Sequence, residues 1–272
     1  MEKGQIIYLN GPASAGKSTT AKALQEILDS PNLLMSIDIY SDMLYDWYGL
    51  DDSEARRRVS GERIDTAFHH CIAALSSAGH DLIVDDIIFN RSLYECVDLL
   101  VDFPVLFVGL HCSLEELERR TEERGDRSIG MARLHFDRVH NHGIYDFEID
   151  SSEKSPVECA DEIKQFVQTN PCPHAFKEIK EKMELLHKRL VSYADLVRRE
   201  GILSLKNHPD QPEFFKMLYE ETQSNGRDGR ESTLILQAML LIMEGVHPDL
   251  LDRILRYDGR WSDILEEHLP DG

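Results

Sequence analysis

Residues 11–18 read Gly-Pro-Ala-Ser-Ala-Gly-Lys-Ser, a complete G-x-x-x-x-G-K-[ST] pattern. In such a loop the glycines let backbone N–H groups turn toward phosphates, the lysine reaches the β- and γ-phosphates, and the hydroxyl ligates Mg²⁺. Lys17 and Ser18 hold those two positions. ATP and Mg²⁺ are therefore the expected cofactors. The nucleotide-binding set is Gly11, Pro12, Ala13, Ser14, Ala15, Gly16, Lys17, Ser18 and Thr19.

Three further groups could complete a phosphoryl-transfer site. Asp38 closes the apolar run Leu33–Ile37 about twenty residues after Lys17, a spacing that suits the end of the second strand of a P-loop fold. A carboxylate there can face the γ-phosphate and accept the proton of an acceptor hydroxyl. An ordinary aspartate is a weak base, so orientation is its larger contribution. The plainer reading of Asp38 is a strand-end residue that caps the next turn. Asp85 and Asp86 end the run Leu82-Ile83-Val84, where a carboxylate commonly serves Mg²⁺. Neighbouring strand residues face opposite sides, so one of the two has another task. Asp85 is the favoured metal residue, with Ser18.

The third group is the arginine-rich stretch Arg119–Arg127, followed by Arg133. Gly125 interrupts its helical pattern as a hinge would. Arg124 and Arg127, beside that glycine, are expected to neutralise charge on the transferring group. Arg119 and Arg120 stand four residues after Glu115 and Glu116, which reads as exposed helix pairing. The histidine groups His69-His70 and His140-Asn141-His142 lack metalloprotease spacing, and no G-x-S-x-G elbow is present.

Residues 1–168 alternate strand-like and helix-like segments. Strands are expected at 5–10, 33–38, 81–88, 104–111 and 145–149. Helices are expected at 17–29, 53–78, 91–101, 113–124, 130–141 and 156–168. Apolar strands separated by amphipathic helices imply an α/β fold, a parallel sheet flanked by helices, with its ligand at the carboxyl ends of the strands. The composition changes at Asn170-Pro171-Cys172-Pro173, which divides a domain 1–170 from a domain 171–272. The second part shows no strand pattern. Ala175–Glu200 spaces apolar residues by three and four, as an amphipathic helix does, and shorter helices follow, giving an all-α domain.

The chain of 272 residues carries a net charge of −20. That charge argues against nucleic acid and anionic membranes as partners, so any anionic ligand needs a local basic site. Five cysteines, with no C-x-x-C pair, fit a reduced cytoplasm. The first strand begins too early to leave room for a signal peptide. The longest apolar stretch, near Leu234–Met243, is too short to span a bilayer.

Residues 4–168 resemble the chloramphenicol phosphotransferase-like kinases, which are related in fold to shikimate kinase. The resemblance rests on Asn10-Gly11 with Ser14–Ser18, Asp38, Ile83–Asp86, Arg124–Arg127 with Gly130-Met131-Ala132, His140, Gly143 and Tyr145–Asp150. It implies ATP-dependent phosphorylation of a small-molecule hydroxyl, with Asp38 as base. The segment Ile39–Tyr48 is richer in aromatic and acidic residues than the antibiotic-modifying member would lead one to expect, so chloramphenicol itself does not carry over. Leu196–Leu205 and Leu241–Leu251 resemble the cytoplasmic region of the flagellar stator protein (MotA-type) that forms the ion-channel subunit. That resemblance implies a docking or self-association module. Two alternatives stand beside the small-molecule kinase. One is a kinase of nucleotide sugars like the zeta toxins. The other is a nucleotide-responsive binding protein whose helical tail grips a partner.

Overall fold

The computed structural model describes residues 2–43, 54–125, 129–169 and 172–200. Five strands form one parallel sheet: β1 (Ile6–Asn10), β2 (Asn32–Ser36), β3 (Asp81–Asp86), β4 (Val105–His111) and β5 (Phe147–Asp150), in the order β2-β3-β1-β4-β5. All five residues of β1 are buried, as are the last five of β3 and the first six of β4. This explains why these strands are legible as continuous apolar runs, since a parallel sheet is covered on both faces.

The helices are α1 (Lys17–Ile27), α2 (Ile37–Asp42), α3 (Glu54–Ser77), α4 (Asn90–Leu100), α5 (Leu114–Arg124), α6 (Ile129–Phe136), α7 (Pro156–Thr169) and α8 (Ala175–Glu200). On one face of the sheet, Ile7 and Leu9 pack with Leu24 of α1, Leu117 of α5 and Ile163 of α7. Alternation along β1 sends Tyr8 to the opposite face, where its ring meets Phe107 and Phe176.

The expected strand at 33–38 needs correction. Strand β2 ends at Ser36, whose partner is Asp85, and the chain enters α2 at Ile37. Asp38 lies in the first helical turn and not at a strand end. The apolar–polar alternation Ile37-Asp38-Ile39 imitates a strand, but no ladder partner continues beyond Ser36.

The expected boundary at 170–171 also shifts. The chain divides into Met1–Lys180 and Glu181–Gly272. Ala175, Phe176 and Ile179 at the start of α8 are buried. The first two turns of the supposed tail helix thus complete the first unit's core. In the second unit only the backbone course of α8 to Glu200 and a few side chains are described. The stator-like segments lie outside the described residues, apart from the helix backbone at 196–200. Among the described residues no helix is long and apolar enough to cross a membrane.

Candidate active site

The phosphate loop joins the end of β1 to α1. Its turn requires left-handed backbone at Gly16 (φ 91°) and, unusually, at a residue with a side chain, Ser14 (φ 66°). Glycine adopts this region freely, whereas a serine held there stores strain. Gly11 answers a different demand, because a Cβ on it would stand 2.4 Å from the carbonyl oxygen of Leu110. Lys17 is buried, and its ammonium donates to the Gly11 and Pro12 carbonyls at 2.9 Å.

One cavity collects many of the predicted residues, though Gly11, Pro12, Ala13 and Ala15 are not among those lining it. Ser14, Gly16, Lys17, Ser18, Thr19, Ile37, Asp38, Asp85, Ile87 and Arg124 line it. Lys17, Ser18 and Thr19 open α1, so the helix N-terminus adds its N–H groups and partial positive charge. Although Asp38 stands on α2 and not on a strand, it still faces this cavity. Arg124, the last residue of α5, lines it too. Arg127 lies outside the described residues.

The two aspartates of β3 divide their work as strand alternation requires. The Ser18 hydroxyl donates to Asp85 Oδ2 at 2.5 Å. Asp86, on the other side, accepts from the Tyr8 hydroxyl at 2.5 Å and from the Ile87 N–H at 2.7 Å. His69 Nε2 stands 3.5 Å from the same carboxylate. Ser18 and Asp85 offer a hydroxyl and a carboxylate side by side, an oxygen-only donor pair of the kind Mg²⁺ takes when phosphates and waters supply the rest. No group of three or more His, Cys, Asp or Glu side chains able to hold a metal alone occurs among the described residues, and a metal shared with a nucleotide needs none.

Several residues support the site from behind, among them Asn10, His140 and Tyr145 of the family resemblance, and Ser151, which the sequence reading missed. Asn10 clamps the loop after β3: its side chain accepts from the Ile88 N–H and donates to the Ile88 carbonyl, both at 2.9 Å. The same amide donates to the Tyr145 hydroxyl at 2.9 Å, which meets His140 Nδ1 at 2.8 Å. Burial, with His111, His142 and Lys17 nearby, pushes His140 down to about 3 and keeps its ring neutral. Ser151 donates to the Ala15 carbonyl at 2.7 Å from the end of β5. Ser151 carries no sequence signal of this role, because its partners are backbone carbonyls far along the chain.

The arginines separate into two kinds. Arg119 is exposed and pairs with Glu116 and Glu123 along its own helix, as expected of surface pairing. Arg133 pairs with Glu118. Arg120 pairs with Glu116, as its spacing implied, but its fork also reaches the Ala15 carbonyl at 3.3 Å and the Ser151 carbonyl at 2.7 Å. Arg119 and Arg120 together hold the Glu116 carboxyl down to about 2. Gly125 has φ 67° and donates its N–H to Thr121 O. It is the left-handed cap that ends α5.

The model of the family described as chloramphenicol phosphotransferase-like protein matches residues 4–168. The chain belongs to this family. Membership makes it an enzyme of phosphoryl transfer, a kinase-type phosphotransferase on a P-loop fold. Two Mycobacterium tuberculosis proteins, from strains CDC 1551 and H37Rv, are each 30% identical over 203 residues, covering 67% of this chain and 90% of their own. Both are provisionally described as O-phosphotransferases. Among solved structures, a Chloroflexus aurantiacus protein provisionally described as a kinase is 20% identical, covering 62% of this chain and 98% of its own, with TM-score 0.49. Shikimate kinase from Acinetobacter baumannii in complex with shikimate is 17% identical, covering 62% and 96%, with TM-score 0.47.

Proposed function

We propose that this phosphotransferase moves the γ-phosphoryl group of ATP to a hydroxyl of a small molecule. The observation that carries the reading is the convergence of Lys17, Ser18, Asp38, Asp85 and Arg124 on one cavity at the carboxyl end of the sheet. Phosphoryl transfer needs clamped phosphates and an aligned acceptor more than covalent help from the protein. The loop N–H groups and Lys17 hold the β- and γ-phosphates. Ser18 and Asp85 would hold Mg²⁺, which supplies charge neutralisation between those phosphates. Asp38 orients the acceptor hydroxyl. As its oxygen bonds to the γ-phosphorus and the bond to the β-phosphate oxygen breaks, the proton passes to the Asp38 carboxylate. Arg124, with Arg127 from outside the described residues, balances charge on the group in flight. The relatives' description as O-phosphotransferases supports an oxygen acceptor.

The acceptor is a soluble metabolite or antibiotic in the cytoplasm, and nucleic acid is no partner of so acidic a chain. Residues 181–272 act as a docking or self-association module, a role that the amphipathic pattern of Ala175–Glu200 supports. The test is a screen of hydroxylated compounds with γ-labelled ATP and Mg²⁺, wild type against Asp38→Asn. Label transfer by the wild type alone supports the proposal. Transfer to none of the compounds, or equal transfer by both proteins, contradicts it.

A further inference from the structure

Helix α5 carries three consecutive kinds of contact in its last turn and a half. Arg120 donates to the Ala15 carbonyl of the phosphate loop, and to Ser151 O behind it. Thr121, 1% exposed, donates to the Leu117 carbonyl at 2.7 Å and accepts from the Ser14 hydroxyl at 2.9 Å. Arg124, three residues after Thr121 and four after Arg120, shares their side of the helix and reaches the cavity. The helix then ends at Gly125.

Ser14 and Ala15 are the residues by which the loop makes its strained turn, Ser14 holding φ 66°. Gripping them from α5 does two things. It fixes the turn that aims the loop's N–H groups, and it fixes the helix that carries Arg124 to that same turn. The Ser151 hydroxyl, 2.7 Å from the Ala15 carbonyl, ties the end of β5 into the bracing. Glu116 holds the Arg120 fork from the other edge at 2.7 Å.

We propose that Arg120 and Thr121 are positioning residues that lock helix α5 to the phosphate loop, so that Arg124 stands preset over the γ-phosphate position. The inference rests on reading Gly11–Ser18 as the nucleotide site. It gives Arg124 a fixed place in the frame of the site, at the end of a helix held to the loop by Arg120 and Thr121. A preset guanidinium recognises the γ-phosphate without a reorganisation cost at each turnover.

An equilibrium measurement tests this without knowledge of the acceptor. The affinities of the full chain for ADP and for the β,γ-imido analogue of ATP, each with Mg²⁺, give a ratio that reports γ-phosphate recognition. Wild type should favour the triphosphate analogue by about tenfold or more, the scale of a charged hydrogen bond. Arg124→Ala should erase the preference. Thr121→Val and Arg120→Lys should each reduce it several-fold, and Thr121→Ser should restore it. In the Arg124→Ala background, Thr121→Val should change the ratio no further, because the threonine acts through Arg124. Melting temperatures identify any variant that fails to fold, and Thr121→Ser keeps the comparison valid in that event. If wild type binds neither nucleotide, the nucleotide reading itself fails. If nucleotides bind and Arg124→Ala removes the preference while Thr121→Val and Arg120→Lys leave it intact, the positioning inference is overturned. It is equally overturned if Arg124→Ala leaves the ratio unchanged.

Discussion

The Ser18 hydroxyl donates to Asp85 at 2.5 Å, while the next carboxylate, Asp86, turns to the other side of β3 and accepts from Tyr8. Adjacent residues of identical chemistry therefore have separable consequences. Asp85→Asn is expected to weaken Mg²⁺-dependent nucleotide binding at least tenfold, read from a Mg²⁺ titration, with little loss of stability. Asp86→Leu should do the reverse. It leaves the buried Tyr8 hydroxyl without its acceptor, which costs about 1–3 kcal/mol, read as a lower denaturation midpoint. Equal losses of Mg²⁺ response from both changes would refute the division of roles.

Gly11 has no room for a side chain, since its Cβ would lie 2.4 Å from Leu110 O. Gly11→Ala must displace the loop from β4. Nucleotide affinity should fall by tenfold or more, measured by calorimetry, while the circular dichroism spectrum stays that of the wild type.

Phe176 belongs to the catalytic unit although the sequence places it beyond a proline-rich break. Its ring meets Tyr8 and Phe107, and it is 3% exposed. Phe176→Ala should cost about 3–5 kcal/mol. A chain ending at residue 174 should be destabilised on the same scale relative to one ending at residue 200. Matching denaturation midpoints for the two truncations would show that α8 adds nothing to this core.

The His140 ring is held down to about 3 by burial first and by His111, His142 and Lys17 around it second. Its folded pKa lies below the ordinary histidine value of about 6.5. Its contribution to stability is therefore complete above about pH 6.5 and is lost as pH falls from there toward 3, because only the unfolded chain takes up the proton. Urea midpoints should drop between pH 7.5 and pH 5, and His140→Gln should flatten that part of the profile. A ring that titrates near 6.5 by NMR in the folded protein would contradict this.

The central strands and the phosphate loop were legible because burial on both faces writes uninterrupted apolar runs, and because Gly11, Gly16, Lys17 and Ser18 are required together by one ligand chemistry. The edge of the sheet was less legible. Strand β2 is only partly buried, and its alternating sequence runs on into α2, so Asp38 was assigned to a strand although it stands on a helix that lines the cavity of the phosphate loop. Arg120 was legible only as a partner of Glu116. Its contact with Ala15 spans 105 residues and ends on a backbone carbonyl, which no side-chain pattern encodes. The start of α8 was read into the second domain because Pro171 and Pro173 interrupt the sequence pattern, whereas the core continues through Ala175, Phe176 and Ile179.

The account turns on Asp38 facing both the γ-phosphate and an acceptor hydroxyl. The most direct test pairs label transfer from γ-labelled ATP to a hydroxylated acceptor with binding of the imido analogue, in wild type and Asp38→Asn. The account predicts a loss of transfer of a hundredfold or more, within the usual range for general acid–base groups, with analogue affinity changed less than about threefold, since Asp38 makes no phosphate contact of its own. Full transfer activity in Asp38→Asn would contradict it.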